Sequence, residues 1–249
     1  MSLQNGYTVL NPDTLTHLMA KINREGKAYI RNGAFATDII WQNRRFVFPN
    51  PKKSTRENMW IFKAVIYDVK LFIQKHNIKE KPRLPVNYWN ENNRKFRGKI
   101  TATDLDHAYW RIAFLNEYIR PETYLKGLDV KDKSLRLAAL ANLSSMKEFN
   151  IIENGKVTTK TVMIKYDPIL HKVYSNIRNG CYEHMMNMAN LLGDEFICYK
   201  TDCIYYKDKP ENRELIQSYL DSVAMEWKQL NEPKRPKKEE VNGTNHDLP

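Results

Sequence analysis

The sequence predicts an α+β protein: an antiparallel sheet with helices packed on one face, preceded by a small basic α/β lobe. Three observations predict it. Apolar residues recur at helical spacing in several separate segments, the longest from Pro168 to Leu192. Asn154-Gly155 separates two runs of strand character, a strong hairpin signal. Two short apolar runs, Phe196 to Tyr199 and Cys203 to Tyr206, flank Lys200, Thr201 and Asp202, which would form a tight hairpin tip.

The 249 residues suffice for one large domain, or one domain with a modest second lobe, and can bury a core without disulfides or a structural metal. With 42% hydrophobic and 28% charged residues, nine Gly and eleven Pro, the composition is not that of a fibrous or low-complexity chain. No run approaches the roughly 18 apolar residues of a membrane span. The start, MSLQNGYTV, lacks the charged and apolar regions of a signal peptide, so a cytoplasmic protein with no membrane partner is expected. Cys181, Cys198 and Cys203 form no C-x-x-C pair and are expected as free thiols, without a zinc site or a disulfide frame.

Charge is divided unevenly along the chain. Residues 1–103 carry 19 Lys/Arg against 7 Asp/Glu, and residues 104–249 carry 21 against 22. The basic excess suggests attraction to phosphate backbones, although a solubilising surface has the same composition.

The first helix is read from Pro12 to Arg24 on Leu15, Leu18, Met19 and Ile22, and Gly26 ends it. Residues 27–48 read as two strands around Gly33. Trp41, Arg44, Arg45 and Phe46 interleave cations with rings, as single-stranded nucleic-acid sites do and as half-buried strands also do. After a Pro-Lys connector, Ser54 or Thr55 can cap a helix reaching His76. Lys79 to Arg97 has turn formers and no period, so it reads as a loop, and Arg94, Lys95, Arg97 and Lys99 make a basic run at its exit. A helix is read over 131–148, the Asn154-Gly155 hairpin over 149–166, the long helix over 168–192 and a last helix over 211–230. The remaining tail is too polar to fold alone.

Chemistry is expected where strands end in carboxylates. Ile100, Ala102 and Asp104 run as a strand into a helix-like segment, which places Asp104 where free carbonyls and a carboxylate can hold a divalent cation. Capping of the following helix is the plain alternative for Asp104 or Asp106. A second carboxylate, Asp202, projects from the hairpin tip. Alternation along an extended chain would put Asp106 on the face of Asp104 as a third.

These two segments resemble a family. Asp104-Leu-Asp-His-Ala-Tyr109-Trp is similar to motif A of family-B DNA polymerases, and Tyr199-Lys-Thr201-Asp202-Cys-Ile204-Tyr205 to their motif C, Tyr-x-Asp-Thr-Asp-Ser. Asn142-Leu-Ser-Ser-Met-Lys147-Glu-Phe149 is similar to the second half of motif B, with Ala138 where a Lys is expected and no Tyr-Gly pair. The resemblance covers about residues 98–228. It implies a palm-like domain and a template-directed nucleotidyltransferase, a minimal or fragmentary DNA polymerase acting on primer-template DNA and deoxynucleoside triphosphates with Mg²⁺ or Mn²⁺. By the same carry-over, Asp104 and Asp202 are catalytic and hold metal, with the Leu105 carbonyl beside them. Tyr109 would lie under the sugar and disfavour a 2′-hydroxyl. His107 and Asn142 would be nucleotide contacts, and Arg136 or Lys133 would replace the missing triphosphate-binding Lys unless they are solvated helix charges. Arg44, Arg45, Arg94, Lys95, Arg97 and Lys99 are the candidate nucleic-acid contacts.

The sequence departs from that family in ways that bear on activity. Lys200 replaces the first Asp of motif C, adding a cation where a carboxylate is expected. There is no room for an exonuclease domain or a full thumb, so a partner subunit is a candidate supplier of the latter. The expected organisation is a basic N-terminal lobe (1–97), a palm-like domain (98–230) and a polar tail (231–249). Two alternatives follow: a catalytically inactive palm-like nucleic-acid-binding accessory protein of replication, and a reverse-transcriptase-like polymerase, whose motif A is similar but whose motif C has two adjacent aspartates.

Overall fold

A computed structural model describes residues 8–33, 36–50, 60–143, 146–165, 168–230 and 233. The elements in chain order are β1 (Thr8–Val9), α1 (Leu15–Glu25), β2 (Ala28–Asn32), β3 (Ala36–Trp41), β4 (Arg44–Pro49), α2 (Trp60–Lys75), β5 (Asn87–Trp89), β6 (Ile100–Leu105), α3 (Ala108–Leu115), α4 (Pro121–Leu128) and α5 (Lys133–Ala141). They continue with β7 (Met146–Glu153), β8 (Lys156–Lys165), α6 (Pro168–Leu192), β9 (Phe196–Lys200), β10 (Cys203–Lys207), α7 (Pro210–Ser222) and β11 (Trp227–Leu230). The fold is mixed α+β, with two sheets and packed helices, and is consistent with the α+β, palm-like expectation. The proposed caps Ser54 and Thr55, and the tail apart from Pro233, lie outside the described residues. Among the described residues no helix is long and apolar enough to cross a membrane.

Two compact units are interleaved in sequence, Met1–Ile78 with Ile119–Tyr174 and Lys79–Tyr118 with Ser175–Pro249. Residues 1–97, expected as one lobe, are thus shared between the units. The first unit carries 22 Lys/Arg against 11 Asp/Glu and the second 18 against 18, so the whole net charge of +11 belongs to the first.

In the first unit the sheet order is β1-β4-β3-β2-β7-β8, antiparallel except for the β1–β4 pair. The α1 residues Leu18 and Ile22 pack with Ile30, Ile39, Phe48 and Ile152. Ile40, adjacent to Ile39 and so on the other face, packs with Phe149 and Ile164. Both faces of this sheet therefore carry buried residues. Asp38 sits in it between Arg45, 2.8 Å away, and Arg31, 3.8 Å away, with 7% of its side chain exposed. The buried Asp68 of α2 accepts from Arg120 N (3.0 Å) and Arg120 Nε (2.6 Å), tying the start of α4 to α2.

The second unit holds a fully antiparallel sheet of order β11-β6-β10-β9-β5. Its helix α3 approaches α6 at Gly180, where an added Cβ would lie 2.8 Å from Ile112 Cγ2. The segment from Lys79 is strapped to α6: Asn176 Nδ2 donates to Lys79 O (2.9 Å), Asn179 Nδ2 donates to Pro82 O (3.0 Å), and Lys81 pairs with Glu183 at 2.9 Å.

Four boundaries differ from the sequence reading. The two strands read over 27–48 are three, because Gln42 and Asn43 both adopt positive φ (50° and 60°) and close a two-residue hairpin between β3 and β4. The stretch read as an unstructured loop contains β5, which pairs with β9 through Asn87↔Lys200 and Trp89↔Cys198. The helix read to 148 stops at Ala141, and the chain enters β7 at Met146, where it pairs with β8. The last helix ends at Ser222, and Ala224, at φ 55°, turns the chain into β11. The β7–β8 hairpin does turn at Asn154 (φ 49°) and Gly155 (φ 70°). A Cβ at Gly155 would also overlap the Asn23 side chain, 1.8 Å from its Oδ1.

Candidate active site

The chain reverses three times around one end of the second sheet, and this places the acidic residues. β6 carries Asp104 near its end, and β10 begins one residue after Asp202. Cys203 lies opposite Asp104 in the antiparallel register, and Leu105 N donates to Asp202 O at 2.9 Å. Thr201 has φ 54° at the tip between β9 and β10, and its hydroxyl donates to Asp202 Oδ1 at 3.0 Å. The two aspartates named from the sequence are thus brought to the same end of neighbouring strands. They also act on the same neighbours. Burial, followed by the negative charges of Asp202 and Asp104, pushes the Cys181 thiol well up. Burial first, then Asp104 and Asp202 against a lowering contact from Tyr205, pushes Cys203 up to about 12.

Register divides the sheet into two faces. Directly opposed residues share a face, so Lys228 of β11, Asp104 of β6, Cys203 of β10 and Lys200 of β9 form one cross-strand row. The neighbouring Thr103 faces the other way, where its hydroxyl meets the Tyr206 hydroxyl at 2.9 Å among buried residues. Tyr199, wholly buried, also lies on that second face. Burial and then the neighbouring Tyr182 and Cys181 of α6 raise its pKa. Asp104 therefore stands on the face away from Tyr199 and is 24% exposed.

Leu105 directs its N–H toward Asp202. In an antiparallel strand the same residue's C=O points to the same neighbour, which puts the Leu105 carbonyl on the Asp202 side of β6. His107 adopts the left-handed conformation (φ 51°) just before α3, turning the chain from β6 into the helix. Tyr109 follows on α3, but its hydroxyl is 2.8 Å from the Tyr182 hydroxyl, and burial first of all raises its pKa. The half-buried Tyr109 is thus paired with the buried Tyr182.

The feature that sequence reading missed is Lys228. Its ammonium lies 2.8 Å from Asp104 Oδ2 and 3.0 Å from Asp106 Oδ1. These two contacts, Asp104 before Asp106, raise its pKa well above the ordinary lysine value. Residues 211–230 read as one helix, whereas the turn at Ala224 folds Lys228 back onto β6. Arg111 secures that turn by donating to Ala224 O (2.8 Å) and pairing with Glu226 (3.3 Å), and Asp106 N donates to Glu226 O (2.8 Å).

The other expected contacts are distributed as follows. Lys133, Arg136 and Asn142 belong to the first unit, and Asp104, Tyr109 and Asp202 to the second. Lys133 is exposed. Arg136 is a correction: it is buried, 4% exposed, and donates to Gly127 O and Val130 O, both at 2.9 Å. Burial lowers its pKa, and its role is to join α5 to the end of α4 rather than to meet phosphate. Asn142 is likewise buried, at the end of α5, and accepts from Arg45 at 3.4 Å. Arg45 is committed to Asp38 and only 10% exposed, while Arg44 is exposed. Arg94 pairs with Glu91, and Lys95, Arg97 and Lys99 are exposed.

The carboxylates of Asp104 and Asp106 share one cation, the Lys228 ammonium. Among the described residues no three His, Cys, Asp or Glu side chains converge to hold a metal ion. The three cysteines are buried free thiols. Compared with protein-family models, curated proteins and solved structures, the chain gives no match.

Proposed function

We propose that the second unit is a palm-like domain for template-directed nucleotidyl transfer, of the kind the motif resemblance to family-B DNA polymerases implies. The observation that carries this reading is the register that sets Asp104 beside Cys203, with Leu105 N bonded to Asp202 O. Two aspartates nearly a hundred residues apart in sequence thereby lie at the same end of neighbouring strands. Asp104, Asp202 and the Leu105 carbonyl are the groups that would hold Mg²⁺ or Mn²⁺. The metal, when bound, supplies charge neutralisation for a primer hydroxyl and the phosphates of a deoxynucleoside triphosphate. The protein's own part is positioning: β6 and β10 fix the carboxylates, and α3 holds Tyr109 against Tyr182 beside them. The surplus of cations in the first unit, with Arg44 exposed, supports a nucleic-acid-facing role for that unit. Lys95, Arg97 and Lys99 add exposed cations in the second.

Primer extension tests the reading. The full chain should incorporate nucleotides with Mg²⁺ or Mn²⁺ and lose incorporation on Asp104→Asn, while retaining binding to primer-template. A second reading, a palm-like accessory protein that binds nucleic acid without catalysis, is favoured by one observation: Lys228 occupies Asp104 and Asp106, and Lys200 stands in the same row. Binding without incorporation under either metal would select it.

A further inference from the structure

We propose that Thr201 is a positioning residue, whose strained turn and hydroxyl hold the Asp202 carboxylate in one orientation for the chemistry given to Asp202 above. The inference rests on that reading of Asp202 and names the residue on which its geometry depends.

Cys203 pairs with Lys200, so Thr201 and Asp202 alone close the β9–β10 hairpin. Thr201 takes φ 54° there, a left-handed conformation that such two-residue loops usually give to glycine. Of the seven non-glycine residues with positive φ among those described, it alone is β-branched, the side-chain type least suited to that region. The strain is held from outside the hairpin. Thr201 N donates to Val86 O (3.0 Å) and to Asn87 Oδ1 (3.3 Å), and Tyr199 Oη donates to Pro85 O (2.9 Å). Three consecutive residues at the start of β5 thus grip the tip.

What glycine would lack is the hydroxyl. Thr201 Oγ1 lies 3.0 Å from Asp202 Oδ1 and 2.7 Å from Lys200 O; its single proton serves both acceptors, and the charged carboxylate is the stronger. Thr201 is exposed, so water competes for that carboxylate, and a short side chain holds it only from a backbone that is already fixed. Strain at a candidate site, where a plainer residue would fold with less of it, marks a residue that serves geometry rather than stability.

The test separates strain from hydroxyl in the full chain. Thr201→Gly removes both, Thr201→Val keeps the branched shape without the hydroxyl, and Thr201→Ser keeps the hydroxyl. Three-bond carbon couplings of isotope-labelled Asp202 should report one χ1 rotamer in the parent protein and Thr201→Ser, and averaged values in Thr201→Val and Thr201→Gly. The urea midpoint of Thr201→Gly should be no lower than the parent's, because relief of the positive φ offsets the lost hydroxyl contact and the freer unfolded chain. In primer extension, Thr201→Val and Thr201→Gly should lose at least about tenfold in kcat with little change in the KM for nucleotide, and Thr201→Ser should restore it. A contact that served folding alone would not lower kcat in a variant as stable as the parent. A single Asp202 rotamer in Thr201→Val, or parent-level kcat in that variant, would overturn the proposal. If none of the four proteins incorporates nucleotide, the polymerase reading fails and the couplings alone decide: averaging in Thr201→Val upholds the grip on Asp202, and a single rotamer ends it.

Discussion

In the first unit one acid lies between two bases, and in the second one base lies between two acids. Asp38 takes Arg45 and Arg31 within the first sheet, with 7% of its side chain exposed. Lys228 takes Asp104 and Asp106 at the open end of an edge strand, with 48% exposed. The chemistry is the same but the surroundings differ. A sealed charge has no water to fall back on, so its partners are fixed and their job is to hold the sheet. A half-exposed charge can exchange its partner for water or for another cation, so it can be moved. That distinction separates the structural charges of this protein from the ones suited to chemistry. It also explains why Arg45, a reasonable phosphate contact by sequence, is better understood as part of the first unit's core.

The largest expected effect breaks the sealed cluster. Arg45→Ala leaves Asp38 buried with only its longer contact to Arg31, and should cost about 3–5 kcal/mol in urea or thermal unfolding. Lys228→Met, measured the same way, should change stability by no more than about 1 kcal/mol. Equal losses at both positions would erase the contrast. Next comes Gly180→Ala, which pushes a methyl group against Ile112 where α3 meets α6. It should destabilise by about 1–3 kcal/mol, less the small helix-propensity gain, since Ile112 is buried and branched close to its backbone.

Smaller effects sharpen the electrostatic side. If exposed Arg44 and Lys95 meet phosphates, each Ala variant should lower the slope of log affinity against log salt for DNA by about one, uniformly across sequences. An unchanged slope would mark those charges as solvated surface. At neutral pH the smallest effect is in the thiols. Burial raises Cys203 to about 12 in the folded protein, against about 8.5 unfolded. The unfolded chain therefore loses this proton first, and stability falls as pH rises from about 8.5 toward 12 while being unaffected below. At pH 8 Cys203 should resist maleimide until denaturant is added.

Much of the fold was legible because local signals and packing agree. Asn154-Gly155 names its turn, and the stripe through Ile169, Val173, Ile177 and Cys181 matches α6 from Pro168 to Leu192. The short apolar runs around Lys200–Asp202 became β9 and β10. The failures came where tertiary pairing overrode pattern. Gln42-Asn43 closes a hairpin without the glycine that usually signals one. Residues 223–230 carry no glycine or proline to end the helix read through them, and only the turn at Ala224 (φ 55°) sends the chain into β11. That last ambiguity hid Lys228, the side chain that touches the site most directly. Asp104 and Asp202 were legible because strand ends and hairpin tips can be read locally. Their proximity was an expectation from the resemblance, and the β6–β10 register supplies it.

The central claim, that Asp104 and Asp202 make one catalytic centre, is tested most directly by nucleotide incorporation with Asp202→Asn, on a primer-template that this variant and the parent protein bind equally. The account predicts incorporation by the parent with Mg²⁺ or Mn²⁺ and none by the variant. Incorporation by both at the same rate, or by neither despite full binding, would contradict it.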